Sequence, residues 1–195
     1  MIAEKSKRRK YVLKVSALAL MLASLYCDES WAQLKDETLV ATIPTGFKIG
    51  SQTNHDRTTT LEWIKESETV QNWTEMVTVQ VDRGINRMTP PQVVQSTGKK
   101  WLAACKGSAA NQIPDGQANG YAVSMLVVHC PLNAATGTPE TTVLRVINGN
   151  DALYTVQKTF RFDPSNDQVG QIMKYLNHVN VCDMRGTDHP CPKVN

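Results

Sequence analysis

Apolar and polar residues alternate along much of the chain, and that alternation predicts strands. Trp73, Val77, Val79 and Val81 interleave with Thr74, Thr78, Gln80 and Asp82, the period of a half-buried strand. Leu39–Ile43 is a short β-prone run stopped by Pro44-Thr45-Gly46. Phe47–Ile49 and Thr58–Glu66 flank a polar turn around Asn54-His55-Asp56 and predict a hairpin. Tyr121–Cys130 is apolar on both alternations, which places it as a central strand of a sheet covered on both faces. Thr142–Ile147 and Ala152–Phe162 flank Asn148-Gly149, a strong turn dipeptide.

Two segments change period and predict helices. Thr89 is placed to cap, Pro90 suits the first helical position, and Gln92 completes a capping box. Val94, Thr97, Trp101, Ala104 and Cys105 then share a face, and Gly107 supplies the stop. Ser165 with Gln168 forms a second capping box, followed by the stripe Val169, Ile172, Met173, Leu176 and Val179. Strands joined by hairpins with two long helices imply an α+β domain: a mostly antiparallel sheet with helices packed on its faces. No repeat or low-complexity linker divides it, so residues 33–181 read as one domain and 182–195 as an irregular tail tied by a disulfide.

The first 32 residues stand apart. Lys5, Lys7, Arg8, Arg9, Lys10 and Lys14 precede the apolar stretch Val15–Tyr26, and Ser30-Trp31-Ala32 offers small residues at a cleavage site. This arrangement reads as a secretory signal, its apolar stretch shorter than the roughly 20 residues of a spanning helix. Tyr26 is too bulky before Cys27 for a lipidation site. Lys7–Lys14 also resembles a twin-arginine signal, so both export routes stay open.

Removing that segment changes the charge balance. The chain carries 21 Lys and Arg against 18 Asp and Glu, and residues 1–32 hold six of the bases and three of the acids. The remainder is neutral, which removes the electrostatic case for nucleic acid or a membrane surface. Four cysteines also remain: Cys105, Cys130, Cys182 and Cys191. An even count in an exported domain points to disulfides, with three possible connectivities. Cys182–Cys191, close in sequence, and Cys105–Cys130, joining a helix end to a strand, form the expected pairing.

The element order resembles the PsbP/Mog1-like α/β/α sandwich. The features that carry it are the opening Ile43-Pro44-Thr45-Gly46-Phe47, the mid-chain helix, the long hairpin around Asn148-Gly149 and the last helix. Glu68–Thr78 is similar to a segment of small exported bacterial proteins of unassigned function. The resemblance implies an accessory or scaffold role rather than catalysis; a fold by itself carries no function.

Candidate chemistry is sparse. His55, His129, His178 and His189 show no i, i+4 pairing and there is no Cys-x-x-Cys, so the common zinc patterns are missing. Cys182, Asp183, Asp188, His189 and Cys191 would make a metal site if the thiols were reduced, but an exported tail favours the disulfide. No Gly-x-Ser-x-Gly or Ser-x-x-Lys occurs, and His129 and Cys130, adjacent on a strand, point to opposite faces. Glu62, Glu66, Glu68 and Glu75 flank the second hairpin strand and are the carboxylates for a hydrolytic pair. Acidic residues at strand ends ordinarily face solvent. Trp73 and Trp101 have core periodicity, whereas Trp63 lies beside Lys65 and Glu66 and is the candidate binding residue. Asn72-Trp73-Thr74 matches a glycosylation sequon but reads as the start of a strand.

The expectation is therefore a periplasmic or secreted, disulfide-stabilised, non-enzymatic binding or accessory protein of the cell envelope. Its partner would be an envelope protein or a small ligand held between sheet and helix, with no cofactor, no catalytic residue and no membrane span after signal removal. A small periplasmic hydrolase built on the hairpin carboxylates and His55, or a metal-handling protein built on the tail, are the alternatives.

Overall fold

Seven strands form one antiparallel sheet, and the hydrophobic alternation of each decides which helix it faces. The computed structural model describes residues 36–84 and 88–192, so the expected signal at 1–32 lies outside the described residues. The elements run β1 (Glu37–Val40), β2 (Phe47–His55), β3 (Thr58–Lys65), β4 (Glu75–Asp82), α1 (Pro90–Ala104), β5 (Ala109–Ala118), β6 (Tyr121–Asn133), β7 (Thr138–Asn148), β8 (Leu153–Phe160), α2 (Asn166–His178) and β9 (Asn180–Asp183). The large sheet has the order β2-β3-β4-β8-β7-β6-β5, and β1 pairs separately with β9.

Alternation splits the core in two. Val77, Val79, Val123, Met125, Val143, Ile147, Tyr154 and Val156 meet Ile172 and Leu176 of α2. On the opposite face Leu126, Val128, Leu144, Val146 and Leu153 meet Val94 of α1. The α+β sandwich with helices on both faces is thus the observed architecture. Gly98 is buried on α1, where a Cβ would stand 3.4 Å from that of Ala110, so its bareness sets how closely α1 approaches the sheet. Gly98 replaces the expected Ala104, which is exposed.

Both helices start where their caps place them. The Gln92 side chain accepts the Thr89 N–H at 2.8 Å ahead of α1. At α2 the exchange is reciprocal: Ser165 N–H donates to Gln168 Oε1 at 2.8 Å, and Gln168 N–H to Ser165 Oγ at 3.3 Å. Such caps each contribute about 1 kcal/mol.

Three features differ from the sequence reading. First, β5 was not expected, because Asn111, Gln112, Pro114, Asp115 and Gly116 lack an apolar alternation. It is an edge strand, hydrogen-bonded to β6 alone, and its register shifts between Ile113 and Gly116 where proline and glycine sit. β6 is accordingly next to the edge, and β8 is the central strand.

Second, the two Asn-Gly pairs behave differently. Asn119 and Gly120 both have positive φ, 49° and 80°, as a tight two-residue hairpin turn requires. Asn148-Gly149 is no such turn; Gly149 N–H donates to the Ala152 carbonyl at 3.0 Å and closes a longer loop. That loop folds around Glu37, whose carboxylate accepts N–H groups of Asn150, Asp151 and Ala152 at 2.5, 3.0 and 3.2 Å. The hydroxyls of Tyr121 and Tyr154 donate to the same carboxylate at 3.1 Å each.

Third, the tail is ordered at its start. Cys182 and Asp183 belong to β9, paired with Thr38 and Glu37 of β1. His189 stacks on Tyr121 with centroids 3.8 Å apart, and its Nδ1 lies 2.7 Å from the Asn119 carbonyl. Asp183 receives a forked pair of bonds from Arg185 at 2.9 and 2.6 Å. The Arg185 hydrogen bonds hold its carboxyl far below the usual carboxylate range. Burial of that strand pairing, invisible to local polarity, extends the domain past residue 181.

Cys105 bonds Cys130 with Cα atoms 5.9 Å apart, and Cys182 bonds Cys191 at 4.8 Å. In the chain-entropy view each contributes about 3 kcal/mol. The first links the end of α1 to β6, and the second closes the tail behind β9.

Glycine substitutions separate the turn from the helix. In Gly120→Ala the new Cβ would meet the His189 ring at 2.8 Å with φ at +80°, and a loss of more than about 1 kcal/mol is expected by urea denaturation. Gly170→Ala, in open space on α2, is expected to gain about 0.5–1 kcal/mol. A Gly120→Ala protein as stable as the parent would contradict the left-handed turn.

Candidate functional site

A row of side chains crosses four strands on the α2 face. Phe47 of β2 pairs with Lys65 of β3, Lys65 Nζ lies 2.7 Å from Glu75 Oε1 of β4, and Glu75 pairs with Phe160 of β8. Lys158, two residues before Phe160 and on the same face, places its Nζ 2.8 Å from Glu75 Oε2 and 4.2 Å from the Phe47 ring centre. One carboxylate thus joins two ammonium groups, and an aromatic ring accepts the second by a cation–π contact.

Lys158 is 5% exposed, unusual for lysine. Burial pushes its ammonium below the ordinary lysine value, with Glu75 opposing that shift. Burial pushes Glu75 the other way, yet hydrogen bonds from Lys158 and Lys65 outweigh it and leave the carboxyl below its usual range.

Above this row lies a cleft of about 390 Å³ between the sheet and α2. Pro44, Phe47, Phe160 and Ile172 supply apolar walls, while Gln168 and Gln171 line it from α2. Tyr175 completes the lining, its hydroxyl shielded from solvent and without a hydrogen-bond partner. Burial raises the Tyr175 hydroxyl above the ordinary tyrosine value. The volume falls within the roughly 300–1,000 Å³ of small-molecule sites.

The sequence candidates fall elsewhere or in other roles. Trp63 is half-buried on this same face, paired with Ile49 of β2 and Val77 of β4, and Ile49 beside it is 57% exposed. Trp73 is buried on the opposite face with Ile64 and Met76, under the Arg161 guanidinium at 3.8 Å. Trp101 packs half-buried against the α1-side core.

The carboxylates of the hydrolytic alternative do not converge. Glu62 pairs with Thr78 and so faces away from Glu75. Glu66 is exposed, and Glu68 accepts the Thr74 N–H at 3.0 Å and the Thr74 hydroxyl at 2.5 Å. His55 stands exposed at the β2–β3 tip against Asp56, at the Asp82 end of the sheet, about 24 Å along the strands from Glu75. Glu75 itself points into the cleft rather than to solvent, because its neighbours in the strand set its parity.

In the tail the two thiols are bonded to each other, Asp183 is engaged by Arg185, and His189 is stacked on Tyr121. Asp188 is exposed. His129 Nδ1 lies 3.0 Å from Thr141 Oγ1.

Lys158 and Tyr175 were missed by the sequence reading. The available signal was the inward register Tyr154, Val156, Lys158, Phe160, in which lysine occupies a core position. Tyr175, three residues after Ile172, continues the α2 stripe.

Neutralising Glu75 tests the charged row. Glu75→Gln leaves Lys158 without its carboxylate, and a loss of about 2–3 kcal/mol is expected, since Glu75 keeps 21% of its side chain in water. With its pKa lowered, the stability Glu75 contributes is complete above 4.5 and is lost as the pH falls through the lowered value. Acid titration of unfolding free energy is therefore expected to be shallower below that pH in Glu75→Gln than in the parent. Parallel curves would contradict the pairing.

Comparison with solved structures gives likenesses of low identity. The chain is similar to the Ran-binding protein Mog1p of Saccharomyces cerevisiae, with 12% identity and a TM-score of 0.43 over 73% of this chain and 84% of that one. It is also similar to LpqN of Mycobacterium tuberculosis, described as involved in cell envelope biogenesis, with 13% identity and a TM-score of 0.38 over 74% of this chain and 83% of that one. No protein-family model and no curated protein matches the sequence.

Proposed function

We propose that this is an exported, non-enzymatic binding or accessory protein of the bacterial cell envelope, with the cleft under α2 as its ligand site. The observation that carries the reading is the row of buried Lys158 and part-exposed Glu75 and Lys65 beside an open cleft, with Tyr175 lining it and its hydroxyl unpartnered. Charged groups in a partly apolar recess are costly to stability and are common where a ligand is held. Two disulfides fit a chain that folds in an oxidising compartment, and the basic-then-apolar N-terminus reads as an export signal. Among the described residues no helix is long and apolar enough to cross a membrane.

Trp63 belongs to the same proposal as the contact for a partner protein. It is half-buried, and the exposed Ile49 beside it extends an apolar surface at the β2 edge. Aromatic residues of this kind anchor interfaces.

Native mass spectrometry of the protein recovered from a periplasmic fraction tests the export reading. The expected mass lacks residues 1–32 and the four hydrogens lost in forming two disulfides. An intact N-terminus with all five cysteines as free thiols, found in the cytoplasm, would overturn it. For Trp63, Trp63→Ala is expected to lower Tm by less than Trp73→Ala, as measured by thermal unfolding. An equal fall would make Trp63 a core residue.

A further inference from the structure

We propose that the end of the domain around the Cys105–Cys130 bond docks on an anionic lipid surface, an inference independent of the cleft beneath α2. Neutrality after residue 32 is a total, and the charges that compose it are segregated. No Asp or Glu lies between Asp82 and Asp115, a stretch that carries Arg83, Arg87, Lys99, Lys100 and Lys106. The acids that balance these bases all lie elsewhere in the chain. Lys99 and Lys100 stand exposed on the second half of α1, and exposed Lys106 follows its end.

Apolar side chains gather at the same end. Leu102 is 52% exposed and Leu132 61%, the highest value for a large apolar residue among the described ones. Leu102 precedes Cys105 by about one helical turn, and the Leu132 carbonyl lies 3.6 Å from Cys105 Sγ. Ala103, Ala104 and Pro131 beside them are exposed as well. The disulfide ties the end of α1 to β6, so both leucines are presented on a covalently fixed surface.

Nearby acids are engaged elsewhere. Glu140, opposite Cys130 on β7, accepts a bond from Asn133 Nδ2 at 2.6 Å. Asp115 accepts bonds from Ser124 Oγ at 2.5 Å and Gln112 Nε2 at 3.2 Å. Among the described residues no ion pair involves Lys99, Lys100 or Lys106. Leucine beside lysine suits the bilayer boundary, where the leucines enter the acyl region and the lysine stems carry their charges to lipid phosphates. Protein interfaces are instead poor in lysine and anchored by aromatic or arginine side chains. Single-stranded nucleic acid stacks on exposed aromatics, whereas Trp101, the one aromatic of α1, packs against the core.

Co-sedimentation of the oxidised protein from the periplasmic fraction tests this. Binding to vesicles of about 30% phosphatidylglycerol in phosphatidylcholine is expected to exceed that to pure phosphatidylcholine about tenfold or more in roughly 50 mM salt. Lys99→Gln with Lys106→Gln is expected to weaken binding at least about tenfold, at about fivefold for each charge removed. Leu102→Asn with Leu132→Asn is expected to weaken it about tenfold. Lys174→Gln, exposed on α2, is expected to bind as the parent does, and every variant to keep the parental Tm, since the positions are exposed. Equal binding to the two vesicles, or none to the anionic ones up to about 2 mM lipid, would overturn the proposal. So would a lysine or leucine double variant that binds as the parent does. Loss in the lysine variant with none in the leucine variant would assign the surface to a soluble polyanion or an acidic protein instead.

Discussion

The rest of the structure depends on the two-sided burial of β7. Thr141–Ile147 are buried at seven consecutive positions, so the strand is covered on both faces. Alternation assigns Val143 and Ile147 to the α2 face and Leu144 and Val146 to the α1 face. Each face demands its own layer, because an apolar sheet surface left in water forfeits about 25 cal/mol per Å². α1 and α2 supply those layers, and the capping boxes fix where each begins.

Coverage is uneven, and the cleft is a result of that unevenness. α2 packs on β7 and β8, in the middle of the sheet, whereas β2 lies at its far edge. Between them the Pro44–Phe47 segment and α2 leave a recess floored by β4 and β8. Core residues would ordinarily fill such a floor. Here Glu75 and Lys158 do, with Lys65 of β3 paired to Glu75 from the side, at a cost in desolvation that their mutual ion pairs offset in part. A polar floor in an otherwise apolar layer is what distinguishes this recess from the surface hollow along α1, lined by Gln92, Gln95 and Lys99.

The chain ends are held by polar contacts rather than by a large core. Glu37 gathers three backbone N–H groups of the β7–β8 loop and two tyrosine hydroxyls, so β1 is tied to the sheet although it does not pair with it. β9 pairs with β1, Arg185 bridges Asp183 and Asp151, and the second disulfide closes the loop that sets His189 on Tyr121. Charge-assisted bonds of this kind are about twice as strong as neutral ones. They act at the opposite end of β8 from the Phe160 end where the cleft lies, which leaves the cleft free of the tail.

Sequence by itself determined the elements whose burial is written in their own neighbours: β4 from period two, β6 from a run apolar on both alternations, α1 and α2 from their caps and stripes, and the α+β class from their order. It also placed Cys182–Cys191 and Cys105–Cys130 by closeness and by element. Tertiary structure decided what depends on a distant partner. β5 is a strand because β6 offers it hydrogen bonds, though its own residues are polar. Asn119-Gly120, not Asn148-Gly149, forms the tight turn, since Glu37 from far along the chain organises the other loop. Lys158 and Glu75 meet because the β4–β8 register sets them diagonally on one face, and a slip of one residue would turn Glu75 away. Alternation reports which side chains face inward, but register and layer decide what they meet there.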